Sequence, residues 1–230
     1  MYRLKRYIIP GGRYVSAGLP EEVMGSHFGI VLRKFVLYQY HQCHVTQPLL
    51  LEQLREMEID ISGQLSNLLT VDKDIFHLEK ESLLSRGLAL SPYIQSDDTG
   101  ARHDGKNGYC TVICNDQFTY FKSRERKSRI NFLEILRTPF HEDYRIDSLA
   151  LSYMEHQGLP SKYQIQITAS GAKVFTDKLE FEKYLTELDI TAEYVIQIIT
   201  EGALLGSIME HGMNKDIAII SDDAGQFNIL

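Results

Sequence analysis

The sequence predicts an α/β protein: a helical region over residues 1–86, then a sheet-bearing core over 87–230, interrupted by a largely helical insertion at about 141–214. Three observations carry this. Large apolar residues recur at helical spacing from Ser26 to the mid-80s. After Gly87 the pattern changes to the alternation of half-buried strands. Finally, DIAIIS at 216–221 is a short β-branched run that returns to strand character after a long helical stretch.

In SHFGIVLRKFVLYQYH, Phe28, Val31, Leu32, Phe35 and Tyr38 fall on one face of a buried helix. In TQPLLLEQLREMEIDISGQLSNLL, Thr46 suits an N-cap, Pro48 a first turn, and Leu50, Leu54 and Met57 an apolar face, so a helix ends near Glu58. Ser62 then caps a second helix through Leu69, and the pair has the outline of a helix-turn-helix, with Gln64 and Asn67 placed to touch DNA. A packed helical hairpin without DNA contact explains the same pattern. A third helix covers roughly 72–85.

LALSPYIQS, GYCTVIC and QFTYF read as three consecutive strands, the last two joined at Asn115-Asp116. Ser128 caps RINFLEILR, which stops before Pro139. In the insertion KYQIQIT is β-like, FTDKLEFEKYLTEL is amphipathic, and TAEYVIQIITEGALLGSIMEHG is a long apolar helix. DIAIIS then reads as a buried strand ending at Asp222.

With 43% apolar and 24% charged residues, the chain is globular rather than disordered. The apolar patch after MYRLKR is cut by Pro10-Gly11-Gly12 before it reaches signal or membrane-span length, which predicts a cytoplasmic protein with no membrane segment. Three cysteines without a CxxC pair point to reduced thiols, neither a disulfide framework nor a zinc site. A balance of 24 basic against 31 acidic side chains argues against a nucleic-acid coat. Even so, Lys122, Arg124, Arg126, Lys127 and Arg129 gather a local positive patch.

Ser-Asp-Asp occurs twice, at 96–98 and 221–223, each time at the end of an apolar run. If the two strands are neighbours, Asp97 and Asp222 are delivered to one end of a sheet. Crowded carboxylates repel, so a functional version binds cations, and oxygen donors favour magnesium or manganese. The plain alternative is that each acidic pair caps a turn, since Asp-Thr-Gly and Asp-Ala-Gly are turn formers.

The run SDDTGARHDGKNGYCTVICNDQFTYF resembles the first strand and hairpin of bacterial insertion-sequence transposases of the DDE class, and SDDAGQF resembles their later strand-end segment. The helix pair at 46–69 is similar to the one that precedes their catalytic domain. The resemblance implies a ribonuclease-H-like mixed sheet and metal-dependent phosphodiester hydrolysis and strand transfer on double-stranded DNA. It makes Asp97 the first catalytic, metal-binding aspartate and Asp222 the second, with Asp98 and Asp223 as second choices. It further implies Mg2+ or Mn2+, element-end and target DNA as partners, and a homo-oligomer when intact. The family's third carboxylate is a glutamate beyond the second aspartate, whereas this chain stops at Leu230; Glu201 and Glu210 precede Asp222 and do not fit that order. The expectation is a truncated transposase, incomplete at its C-terminus, with weak metal binding and little strand transfer alone. The competing readings are a non-catalytic DNA-binding or oligomerising remnant and a structural domain without a nucleic-acid role.

Arg124, Arg126, Lys127 and Arg129 are placed to neutralise DNA phosphates, or else form a solvated connection. His103, Lys106 and Asn107 read as turn residues. Tyr38, Tyr40, His41 and His44 read as an interhelical edge, and HEDYRID at 141–147 as a solvated entry to the insertion.

Overall fold

The structure, a computed structural model, describes residues 5–18, 28–61, 65–70, 73–137, 140–169, 171–222 and 224–229. The chain divides into two units, Met1–His77 and Leu78–Leu230.

In the first unit, β1 (Arg6–Ile9) and β2 (Arg13–Ser16) form an antiparallel hairpin within a region expected to be helical throughout. Three helices follow: α1 (Ile30–Leu37), α2 (Gln47–Glu56) and α3 (Leu65–Thr70). A π-helical turn, Tyr38–Gln42, extends α1. Their core is Val36, Leu50, Leu54, Ile61, Leu65 and Leu68, with Phe28, Leu32 and Phe35 packed against it. Val31, Tyr38 and Met57, expected on buried faces, are exposed. Thr46 occupies the N-cap of α2 but its hydroxyl makes no capping bond. α2 ends at Glu56 and α3 is described from Leu65; the expected cap Ser62 and Gln64 lie outside the described residues.

Helix α4 (Lys73–Leu90) runs past Gly87, where the sequence predicted a strand. The reason is packing: a Cβ at Gly87 would come within 2.4 Å of the Phe118 ring, so glycine lets the helix and the β-hairpin close together. The strand therefore starts later, at Tyr93.

The second unit holds a mixed four-stranded sheet of order β5-β4-β3-β8, from β3 (Tyr93–His103), β4 (Lys106–Cys114), β5 (Thr119–Arg124) and β8 (Ala218–Ile220). The first three are antiparallel, and β8 returns parallel to β3. Asp104 and Gly105, both at positive φ, make the two-residue β3–β4 turn, as an Asp-Gly hairpin requires. Lys106 and Asn107, read as turn residues, belong to β4. The β4–β5 connection spans residues 115–118 instead of two, and Asn115 builds it: its side-chain oxygen accepts from the amides of Gln117 and Phe118 at 2.8 and 3.2 Å. One face of the sheet is buried through Ile94, Ser96, Thr111, Ile113 and Tyr120, while Phe121 and Ile220 on the other are about half exposed. Thus β8, expected as a buried strand, is an edge strand among the described residues. Buried Glu81 of α4 accepts from the Tyr120 hydroxyl and pairs with Lys122 at 3.1 Å, pinning the helix to the sheet.

Ser128 caps α5 (Arg129–Arg137) through the amide of Asn131 at 3.2 Å. Next come β6 (Tyr144–Ile146), α6 (Ser148–His156), α7 (Ser161–Thr168), β7 (Lys173–Phe175), α8 (Lys178–Glu187) and α9 (Glu193–Glu210). β6 and β7 pair antiparallel, a small sheet not foreseen. KYQIQIT, expected as a strand, is α7; Pro160 starts it, and of Ile165 and Ile167 only the second is buried. α9 is the centre of the unit, buried without interruption from Glu201 to Ile208. All three cysteines are free, and no helix of the described residues is long and apolar enough to cross a membrane.

Close packing around α9 depends on its glycines. A Cβ at Gly206 would sit 2.6 Å from the carbonyl oxygen of Arg145, and one at Gly202 2.9 Å from that of Ala150. Backbone cannot yield as a side-chain tip does, so Gly206→Ala is expected to destabilise the chain by about 1–3 kcal/mol despite alanine's better helix propensity. The urea midpoint measures it; an unchanged or raised midpoint would contradict the packing argument.

Candidate functional site

β3 and β8 are parallel neighbours, with Tyr93 beside Ala218, Ile94 beside Ile219 and Gln95 beside Ile220. Asp222 follows the end of β8 by two residues, on the strand next to the one that holds Asp97. Asp97, expected at a strand end, lies inside β3, because the pairing with β4 continues through it, opposite Val112, as far as His103. Both aspartates are exposed. Asp97 accepts from the amide of Asp98 at 2.7 Å within β3, and Asp222 from the amide of Ala224 at 3.2 Å in the bend after β8. Asp98 points to the opposite, partly buried face. Both of its oxygens are engaged, one by the Thr111 hydroxyl at 2.5 Å and the other by the Gln226 amide at 3.0 Å. Asp223 lies outside the described residues, as does the side chain of His103.

The segment after Asp222 is held at three consecutive residues. The Gly225 carbonyl accepts from Arg129 at 2.8 Å, Gln226 reaches Asp98, and the Phe227 ring meets Phe132 edge-on at 4.9 Å. Arg129 is in turn fixed by Glu201, which is 1% exposed, at 3.2 Å. Glu201 also accepts from Tyr153 and Gln197, each at 2.8 Å. Burial and the bond to Glu201 push the Tyr153 phenol up. Burial opposes the Arg129 charge, but Tyr153 and Glu201 outweigh it and raise its pKa. Glu210, largely exposed, pairs with Arg145 at 3.1 Å.

The basic run is therefore only partly a surface. Arg129, expected to contact DNA phosphates, is committed inside the fold. Arg124 lies 3.7 Å from Glu134, and Lys122 is held by Glu81. Arg126 and Lys127 are exposed, with Lys127 over the Tyr109 ring at 5.8 Å. Asn67 is exposed on α3.

A second polar cluster was not foreseen. His141 and Asp143, both just before β6, and His211 at the end of α9 bring ligand atoms within 4.8 Å of one another. The two imidazoles stack at 3.5 Å, 7° from parallel. Asp143 accepts from His211 Nε2 at 2.7 Å, the Ser207 hydroxyl at 3.0 Å and Arg145 at 2.7 Å. Burial pushes its carboxyl up, but the bonds from Arg145, His211 and Ser207 outweigh it and hold the pKa at about 2. Burial and the neighbouring His211 hold His141 below the usual imidazole value. HEDYRID did carry a His-x-Asp signal; the third member lies 68 residues beyond Asp143, at a helix end that only the fold brings back.

Over 149 residues, 64% of its length, the chain is 36% identical to an uncharacterized protein, y4jO, of Sinorhizobium fredii, covering 46% of it. The chain thus spans about half the length of this relative. No family model matches, and no solved structure does.

Glu201→Ala leaves Arg129 without its main counter-charge and is expected to cost about 3 kcal/mol by urea unfolding. Paired with Arg129→Met the loss should be smaller than the sum of the single losses, because no orphaned charge remains. Strict additivity would show that the two residues do not depend on each other.

Proposed function

We propose that this chain is the aspartate-bearing segment of a DDE-class transposase with a ribonuclease-H-like core, and that Asp97 and Asp222 share a site for Mg2+ or Mn2+ used on double-stranded DNA. One observation carries the reading: β8 runs parallel beside β3, so Asp222, two residues past Ile220, follows the strand next to the one that holds Asp97. The sheet order supports it. Three antiparallel strands with a fourth returning parallel beside the first bring the end of β8 next to the strand that carries Asp97.

The donor set suits the ions. Two exposed carboxylates offer hard oxygens without nitrogen or sulfur, as magnesium and manganese prefer. Bound there, such ions would supply Lewis-acid activation of the attacking oxygen and stabilisation of the leaving one in phosphodiester cleavage and strand transfer. Asp98, held by Thr111 of β4 and by Gln226, ties the part of β3 that carries Asp97 to the segment after Asp222. Arg126 and Lys127 are the exposed cations for phosphates.

Engagement of Glu201 by Arg129, Tyr153 and Gln197 favours the second reading for the chain acting alone. Glu201, so committed, is not free to complete a catalytic carboxylate set, and the isolated chain binds DNA or oligomerises without efficient chemistry.

Manganese binding, followed by electron paramagnetic resonance of the free ion, tests the shared site. Asp97→Asn and Asp222→Asn are each expected to weaken it at least about tenfold, and Asp98→Asn less. Unchanged binding in both would remove the site. Duplex DNA affinity that falls steeply with salt, and falls further in Arg126→Ala/Lys127→Ala, is expected of the DNA partner; salt-independent or absent binding counts against it. Magnesium-dependent nicking lost in Asp97→Ala would favour catalysis by this chain over a remnant.

A further inference from the structure

We propose that His141, Asp143 and His211 form a second metal site, for Zn2+, that ties the entry of the insertion to the end of its central helix. It is separate in residues and donor chemistry from the Asp97–Asp222 pair. Two nitrogens and one carboxylate oxygen are a common catalytic or semi-open zinc set, with water or a further ligand in the fourth position. The three donors already lie within 4.8 Å of one another.

The surroundings are those of a held ligand set. Asp143 keeps one oxygen on Arg145 at 2.7 Å and receives the Ser207 hydroxyl on the other, outer contacts of the kind that orient a ligating carboxylate. Arg137 clasps the connecting backbone, donating to the carbonyls of Glu142 and Asp143 at 2.9 and 3.0 Å. His141 also lines a cavity of about 230 Å³ whose charged walls are Glu134 and Glu142 on one hand and Lys122, Arg124 and Arg137 on the other.

The two imidazoles are stacked at 3.5 Å and nearly parallel, so their in-plane lone pairs lie in separate planes and one ring turns when both ligate a single ion. His211 Nε2 and Asp143 Oδ1 at 2.7 Å are closer than two ligands of one tetrahedral zinc, which sit about 3.3 Å apart when the bonds are 2.0–2.1 Å. Zinc replaces the proton between them, and the pair opens by roughly half an ångström. Arg137 and Arg145 oppose an added cation, so the affinity expected is micromolar, below that of a closed structural site.

The test is calorimetric titration of the full chain with ZnCl2 in excess Mg2+, with Cys43→Ser in every protein to remove the thiol near His41 and His44. One zinc per chain is expected, with affinity reduced at least about tenfold in His141→Gln and in His211→Gln and unchanged in Asp97→Asn. Zinc should raise the melting temperature by about 5 °C at a hundredfold excess over Kd, and Co2+ in its place should give the visible bands of a low-coordinate nitrogen and oxygen site. Zinc binding of equal strength in His141→Gln, or none in the parent protein, overturns the proposal. Should His211→Gln fail to fold, His141→Gln decides, since the His141 ring is partly exposed and holds no hydrogen bond from Asp143. Loss of manganese binding in Asp97→Asn with zinc binding intact would keep the two sites distinct, so failure of one reading does not carry the other with it.

Discussion

The buried contact between Arg129 and Glu201 is the interaction on which the second unit depends. Glu201 is at the start of the stretch of α9 that is closed off on every side, where a carboxylate cannot remain charged without partners. Arg129 at the first turn of α5, Tyr153 from α6 and Gln197 from the preceding turn of α9 supply them. Three helices are thereby locked in one arrangement by a single charge. The second arm of the same guanidinium reaches the Gly225 carbonyl, so the segment after Asp222 is set by the helical insertion and not only by its strand.

That link explains how a long insertion can precede a strand end without loosening it. β8 pairs through just three residues, too few to fix Asp222 by backbone bonds alone. Gly225, Gln226 and Phe227 supply the rest by holding to α5 and to Asp98. In SDDAGQF the Gly-Gln-Phe half is thus an anchor, while Asp222 faces solvent. The division suits a site whose ligands must be open to a partner while their backbone stays put.

Much of this was legible in the sequence, and the reasons differ for what was not. The three strands, α5 with its Ser128 cap, α8, α9 and the strand before Asp222 follow from periodicity and caps, which are local. Gly87 misled because glycine there serves a close approach to Phe118, which resembles a helix stop when only the chain is seen. KYQIQIT alternates, yet Pro160 and the burial of Ile167 alone make it a helix. Arg129 sat in a basic run and looked like its neighbours; its partner lies 72 residues away, beyond any local signal.

The same non-locality decides the two metal readings. Asp97 and Asp222 announced themselves because a repeated acidic doublet needs no fold to be noticed, only to be brought together, and the β3–β8 pairing supports their meeting. His141, Asp143 and His211 share no repeated pattern, and HEDYRID alone reads as solvent-facing charge. Their convergence follows from where α9 ends, which follows from the tight packing that Gly202 and Gly206 allow against α6 and β6. An addition at Gly206 would therefore act on more than helix packing: by lifting α9 from Arg145 it would also draw His211 away from Asp143, coupling the order of the core to the geometry of the His-Asp-His cluster.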